Sequence, residues 1–257
     1  MNNWRHAILL LVMVAVVAVV FEFPAIPQDE AYHNFADSRT LLGIPNCLDV
    51  ASNFLFLIVG TLGFQFVLRT RPDDRSTFGD SVERRAYELF FFSVAITSFG
   101  SAYYHLHPND SSLVWDRLPM AAGFLSLVAA VVCERTTPRN GLVYLMFLPL
   151  WGIASVLYWN NTQAIGAGDL RPYVIAQFGS LLAVLLLVAL FPARYTRGAD
   201  LVVSLLIYGL AKVFEAGDRL IFSKGKFVSG HTLKHLTAAV SAYWILRMLK
   251  LRKPLPS

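Results

Sequence analysis

The chain has 257 residues, of which 56% are hydrophobic and only 15% are charged. A soluble core of this size does not need so much apolar surface, so the composition excludes an ordinary soluble domain. The formal net charge of +5 does not indicate a nucleic-acid partner, because basic residues of a multi-pass membrane protein mainly set its orientation. Apolar runs of about 20 residues recur, and each can cross a bilayer as a helix.

The apolar runs predict an all-α, polytopic membrane protein with eight helices, one N-terminal helix followed by a seven-helix bundle. In chain order they cover approximately residues 4–23, 47–68, 86–104, 113–132, 142–159, 172–191, 201–221 and 231–249. The first run ends before Pro24 and Pro27, and no small-x-small cleavage site follows it. We therefore interpret residues 1–27 as an extra transmembrane helix rather than a signal peptide, and residues 28–257 as the seven-helix domain.

The basic residues predict the orientation of these helices. Short loops containing arginine follow the second, fourth and sixth runs, and the C-terminus is basic. Under the positive-inside rule these segments are cytoplasmic, which places both termini inside the cell. Lys224 and Lys226, before the last run, are the one exception because they fall outside.

In this topology, nearly all ionisable residues within the runs, with neighbouring polar residues, lie near the outer side of the membrane. Ionisable groups inside a bilayer are costly and usually mark a functional site with partners. The group comes from five runs and consists of Asp49, Asn53, Ser101, His105, Asp116, Glu215, Asp218, His231 and His235. We therefore expect one polar site near the outer face.

The spacing of the histidines indicates a metal site. His231 and His235 are four residues apart, so both rings leave one helical face, and Ser101 and His105 have the same spacing on another helix. Three histidines from two helices leave a fourth tetrahedral position for water, which is typical of catalytic zinc. Asp116, at the start of the next helix, is placed to accept a proton from water activated by the metal.

Other polar residues near this predicted site have two interpretations. His107 is two residues from His105 and points away from it on a helix, so we interpret it as an interfacial residue. Ser101 is either a helix-packing serine or a member of the site. A serine nucleophile with His105 as its base is disfavoured, since no Gly-x-Ser-x-Gly elbow is present. Three residues either orient the ligands or form only an interhelical hydrogen-bond network: Asp49, Asn53 and Glu215.

The order of these residues resembles the alkaline ceramidase family, which belongs to a superfamily with the adiponectin/progestin-type receptors. The shared pattern is Ser-x3-His, an aspartate eleven residues after the histidine, and His-x3-His near the C-terminus, here Ser101, His105, Asp116, His231 and His235. Residues 44–53 also resemble the start of the first core helix of the family. Residues 37–45, 114–119 and 229–235 resemble bacterial members. The resemblance covers residues 32–249.

The resemblance implies a membrane-embedded, zinc-dependent amidase that hydrolyses the N-acyl amide bond of ceramide or a related lipid. Zinc would be held by His105, His231 and His235, with Asp116 as the proton carrier and Ser101 beside the oxyanion. The lipid would enter sideways from the outer leaflet. Similarity to bacterial members implies the bacterial inner membrane as the location, with the metal site toward the outer face.

The resemblance also bears on calcium and on rival functions. Animal members have an acidic calcium loop before the first core helix, whereas Asn46 replaces an expected acid here, so calcium is not expected. One rival is a receptor-like zinc protein that senses a lipid or protein ligand without turnover, which the lack of a long soluble segment at either terminus disfavours. Another is a transporter with a histidine and carboxylate proton relay, which the lack of an internal repeat disfavours.

Overall fold

A computed structural model describes residues 3–71 and 76–256, and within these ranges it consists of helices and loops without a β-strand. The predicted all-α class is therefore confirmed. In the described chain the α-helices are α1 (Asn3–Glu22), α2 (Cys47–Ser52), α3 (Phe54–Arg69), α4 (Ser81–Leu106), α5 (Asp110–Arg135), α6 (Pro138–Ala164), α7 (Arg171–Val174), α8 (Ser180–Leu190), α9 (Ala199–Ala216), α10 (Asp218–Gly225) and α11 (Gly230–Leu251).

The protein is a polytopic membrane protein. Six helical segments of the described chain are long and apolar enough to cross a bilayer: Trp4–Glu22, Cys47–Arg69, Ser81–Leu106, Asp110–Arg135, Pro138–Ala164 and Arg171–Leu190. The other two predicted crossings correspond to α9 and α11, which carry charged residues such as Lys212, Glu215 and Lys234. The predicted total of eight crossings, with its division at residue 27, stays a prediction.

Six helices form a closed ring. Contacts run from α3 to α4, α5, α8, α9 and α11 in turn, and α11 returns to α3. A one-turn π-helix, Ile175–Gly179, joins α7 to α8. Outside the ring, α6 packs against α4 and α5, while α1 packs against α8 and buries little of its own surface. The ring therefore has an interior that side chains from six helices can reach.

Two predicted runs are divided in the structure. The run over residues 47–68 is interrupted at Asn53, between α2 and α3. The run predicted to end at Ile221 ends at Ala216, and α10 follows. Gly217 separates the two helices, and the carboxylate of Asp218, the first residue of α10, accepts the backbone N–H of His231 at 2.8 Å.

A glycine allows α11 to begin against the end of α9. A Cβ atom at Gly230 would lie 2.2 Å from the carbonyl oxygen of Phe214 and 2.6 Å from the Cα of Asp218. No other residue fits without moving one of the two helices. This close approach places the first turns of α11 beside α9, at the end of the bundle where α4 finishes and α5 starts.

The opposite end of the bundle is closed by buried ion pairs. Arg252, directly after α11, pairs with Glu83 of α4 and with Glu134 of α5, the latter at 3.1 Å. Its guanidinium also lies 4.0 Å from the ring centroid of Tyr195. Arg135 contacts the same Glu134 at 3.2 Å. These contacts connect the C-terminal segment to the ends of α4 and α5.

Candidate metal centre

The N-terminus of α11 positions two histidines. Ser229 is the N-cap and its Oγ accepts the backbone N–H of Thr232 at 2.9 Å. The side chains of Ser229 and Thr232 both donate to Oδ1 of Asp49 in α2, at 3.1 and 2.5 Å. Asp49 therefore connects α2 to the first turn of α11. His231 lies in that turn, and His235 follows one turn later on the same face.

The structure brings the three predicted ligand histidines together. His105 lies in the last turn of α4, and a ligand nitrogen of each of His105, His231 and His235 lies within 4.8 Å of the others. Their ring centroids are 4.8–4.9 Å apart, and their exposed fractions are 0%, 5% and 2%. This cluster, hereafter the metal centre, can hold a metal ion.

The hydrogen bonding of His105 fits a metal ligand, whereas Nε2 of His231 lies 3.4 Å from Nζ of Lys234. Neither ring nitrogen of His105 has a hydrogen-bond partner in the described chain, although both are buried. Buried polar atoms are normally paired, since an unpaired one costs about 1–3 kcal/mol. A metal ion would supply the missing partner for one of these nitrogens.

His235 is oriented by a hydroxyl group. Its Nδ1 lies 2.8 Å from Oγ of Ser52, whose hydroxyl donates to the backbone carbonyl of Asp49 at 2.9 Å. Since that hydroxyl proton is already used, Nδ1–H of His235 is the donor, and the lone pair of Nε2 is free for a metal. Such outer contacts fix the tautomer and the ring orientation of a ligating histidine.

Ser101 and Asp116 lie together beside the metal centre. Their exposed fractions are 2% and 6%, and their side chains interact across the contact between α4 and α5. A Cβ atom at Gly100 would lie 2.0 Å from the carbonyl oxygen of Trp115, so the two helices approach this closely only with glycine here. Ser101, Asp116 and His235 line the same cavity.

This cavity is an apolar chamber inside the helix ring. All six ring helices contribute to its wall, which is apolar along most of its length. The charged residues Asp116, Lys212 and Lys234 lie at one end with Ser101 and His235, and the hydroxyls of Ser204 and Ser241, which also line the cavity, bond each other. The other end extends between the middle parts of the helices and includes Leu127, Leu205 and Ala242.

The loop before α2 covers the metal centre, which the sequence did not indicate. The ring of Phe35 lies 4.5 Å from that of His105 and 5.0 Å from that of His231, measured between centroids. The side-chain amide of Asn46 donates to the backbone carbonyl of His105 at 2.8 Å. No helical period applies to a loop residue, so only the polar character of residues 28–46 marked this segment.

The remaining candidates are placed away from the ligand nitrogens. His107 is exposed at the end of α4, and its ring lies 5.6 Å from that of Tyr103. Asn53 donates to the backbone carbonyl of Asp49 at 2.7 Å. Glu215 forms ion pairs with Lys212 and Lys234, at 2.5 and 2.7 Å. Asp49 acts on the centre indirectly, since its carbonyl oxygen holds Ser52.

No protein-family model matches the chain, and no curated protein matches it. A functional assignment therefore depends on the residues and contacts described above.

Proposed function

We propose that the protein is a zinc-dependent amidase that hydrolyses the N-acyl amide bond of ceramide or a related lipid to a fatty acid and a sphingoid-type amine. The observation that carries this proposal is the buried metal centre, with Asp116 and Ser101 beside it, at the polar end of an apolar chamber. The pattern that resembles the alkaline ceramidase family supports the same chemistry.

Zinc suits this ligand set, because three imidazoles with one open position are typical of catalytic zinc sites. When bound, zinc would polarise the substrate carbonyl group and lower the pKa of a water molecule to about 7.

The chain's own side chains would carry the proton. The carboxylate of Asp116 would take a proton from the attacking water and deliver it to the amine nitrogen as the C–N bond breaks. A C–O bond forms at the carbonyl carbon in the same reaction, so one water is consumed per amide. The hydroxyl of Ser101 would donate to the carbonyl oxygen as its negative charge grows.

The apolar chamber would hold the acyl chain. An acyl chain there loses contact with water, which stabilises the complex by about 25 cal/mol per Å² of apolar surface. The polar end of the chamber would then hold the amide beside the metal centre. In the predicted topology this end faces the outer leaflet of a bacterial inner membrane, from which the lipid would enter sideways.

The test is metal analysis of the purified chain, followed by measurement of fatty acid release from a panel of ceramides and other N-acyl lipids. We expect about one zinc per chain, and release that a chelator abolishes and added zinc restores. Asp116→Asn should keep the zinc and lower the release rate by about 10²–10⁴-fold. The proposal fails if wild-type protein binds no stoichiometric zinc. It also fails if zinc-loaded protein binds these lipids but releases no fatty acid, a result that favours the receptor-like alternative.

A further inference from the structure

A second, charged cavity adjoins the apolar chamber. Its wall includes Tyr32, Asp116, Arg117, Tyr173, Lys212 and Lys234, from the loop before α2 and from α5, α7, α9 and α11. Three of these residues are cations. Charged groups within a membrane bundle are expensive, and they usually mark a path or a site for a charged group. We call this the cationic cavity.

Arg117 is buried with hydrogen-bond donors to spare. It is 6% exposed, and its Nη2 donates to Oε1 of Gln28 at 2.6 Å, while its Nη1 has no partner in the described chain. Ring faces surround the guanidinium, with centroid distances of 4.3 Å to Trp159, 4.9 Å to Tyr173 and 5.7 Å to Tyr32. Aromatic faces attract the cation without occupying its N–H groups.

The two lysines share one carboxylate. Glu215 pairs with Lys212 at 2.5 Å and with Lys234 at 2.7 Å. Burial raises the pKa of Tyr32, so its hydroxyl remains protonated and donates to Oε1 of Glu215 at 3.2 Å. Two ammonium groups and one phenol therefore already occupy this carboxylate, which leaves little capacity for another cation.

The charges in and around the cationic cavity do not cancel. Arg117, Lys212 and Lys234 are positive, whereas Asp116 and Glu215 are the two carboxylates among them, which leaves one positive charge in excess. A buried charge without a counter-charge is strongly destabilising. A ligand with one negative group would balance the excess, and Arg117 has the free N–H groups to bind it.

The cavity and the chamber share a wall. Asp116, Met120, Lys212 and Lys234 line both of them. A lipid with its acyl chain in the chamber and its polar group in the cationic cavity would cross this wall beside Asp116. The bond between its two halves would therefore lie next to the metal centre.

We propose that the cationic cavity binds an anionic group, carboxylate or phosphate, on the amine side of the lipid amide. Among the lipids related to ceramide in the proposed function, the preferred substrate is then a phosphorylated N-acyl lipid or an N-acyl amino acid, and neutral ceramide is a poorer substrate. The identity of the bond that is cut rests on the proposed function, whereas binding of the anionic group does not.

The test compares lipids that differ only in the anionic group. N-Decanoylglycine is compared with its methyl ester, and a short-chain ceramide 1-phosphate with the corresponding ceramide. Each of these four lipids is titrated into the full-length protein in detergent, and binding is measured by calorimetry. The titrations are done with metal-free and with zinc-loaded protein. We expect at least one anionic lipid to bind about tenfold more tightly than its neutral partner, equal to about 1.4 kcal/mol. The pair that shows the preference identifies the anion as carboxylate or phosphate.

Variants show whether Arg117 produces the preference. Arg117→Gln should reduce the preference to near unity, whereas Arg139→Gln, at an exposed position at the start of α6, should leave it unchanged. Lys212→Gln is a second variant, and it should weaken the preference. It provides the test if Arg117→Gln does not fold. Equal binding of both members of each pair by wild type overturns the proposal, as does a preference that survives both cavity variants.

The same titrations separate this proposal from the proposed function. If the protein prefers the anionic lipids but hydrolyses none of them, the cationic cavity stands as a binding site and the amidase proposal is wrong. If the protein hydrolyses ceramide and shows no preference for anionic lipids, the amidase proposal stands and the anionic substrate class is wrong.

Discussion

The two ends of the helix bundle both bury charged residues, but they differ in how those residues are paired. At the end formed by the C-terminal segment, Glu83, Glu134, Arg135 and Arg252 each contact a residue of opposite charge and their charges cancel, although Nη2 of Arg135 has no hydrogen-bond partner in the described chain. At the other end, the cations outnumber the carboxylates by one, and the ring nitrogens of His105 and Nη1 of Arg117 have no hydrogen-bond partner in the described chain.

The difference separates structural polar groups from functional ones. Ion pairs whose charges cancel leave no excess charge for a ligand to balance, and their role is to connect helices. Donors and acceptors that are buried and unpaired cost free energy in the ligand-free protein, and binding of a metal ion or a substrate recovers it. The end with the excess charge and the unpaired histidine nitrogens is therefore where we expect chemistry.

The largest expected effect comes from removing a predicted ligand of the metal centre. In His105→Ala only His231 and His235 remain, so we expect bound zinc and fatty acid release both to fall to background. Metal content is measured by mass spectrometry on protein of verified folding. His107→Ala is the matched control, because His107 lies two residues away and is exposed. Full zinc occupancy in His105→Ala would show that His105 is not a ligand.

At the paired end, Arg252→Ala should act on stability and not on chemistry. It leaves Glu83 and Glu134 buried with fewer counter-charges, which should lower the free energy of unfolding by about 3–5 kcal/mol. Denaturant unfolding in detergent measures this. Lys253→Ala, at the adjacent exposed position, should change it by less than about 0.5 kcal/mol. An unchanged unfolding free energy in Arg252→Ala would contradict a structural role for these ion pairs.

A smaller effect is expected when a residue that orients a ligand is removed. Ser52→Ala deletes the hydroxyl that contacts Nδ1 of His235, and we expect zinc affinity to fall by about 10–100-fold. Competition with a zinc chelator of known affinity measures the change. Ser126→Ala removes a buried hydroxyl that bonds to the carbonyl of Ala122 within the same helix, and it should leave the affinity unchanged. Equal affinities in wild type and Ser52→Ala would assign the orientation of His235 to another group.

The smallest effect concerns the loop that covers the metal centre. Asp37 accepts two hydrogen bonds from the guanidinium of Arg39, both at 2.7 Å, and one from its backbone N–H at 3.2 Å, and these bonds hold the pKa of Asp37 below its usual value. This stabilisation is complete above the unfolded-state pKa of about 3.9, and it is lost as the pH falls through the lower folded-state value.

Asp37→Asn should therefore unfold slightly more easily than wild type at neutral pH, and the difference should shrink as the pH falls below about 4. Unfolding midpoints measured across this range test the prediction. Glu30→Gln, an exposed change in the same loop, should show no such convergence. A difference between Asp37→Asn and wild type that is constant with pH would contradict it.

Much of the architecture could be predicted from the sequence, because bilayer helices must be long and apolar and carry their polar residues at the ends or toward partners. The division at Gly217 was missed, although a glycine within a helical run is a known signal for a helix end. Phe35 was missed for a different reason, because a loop residue has no periodic pattern that would indicate what it covers.

The sequence by itself determined the helical class and the three candidate ligands, since spacings of four residues place side chains on one helical face whatever surrounds the helix. Only the tertiary structure decided that His105 meets His231 and His235, because the ligands lie on α4 and α11, far apart in the chain. It also placed Arg117, Lys212 and Lys234 around one cavity. Each of these cations has an ordinary local sequence, so their shared position follows only from the closure of the helix ring.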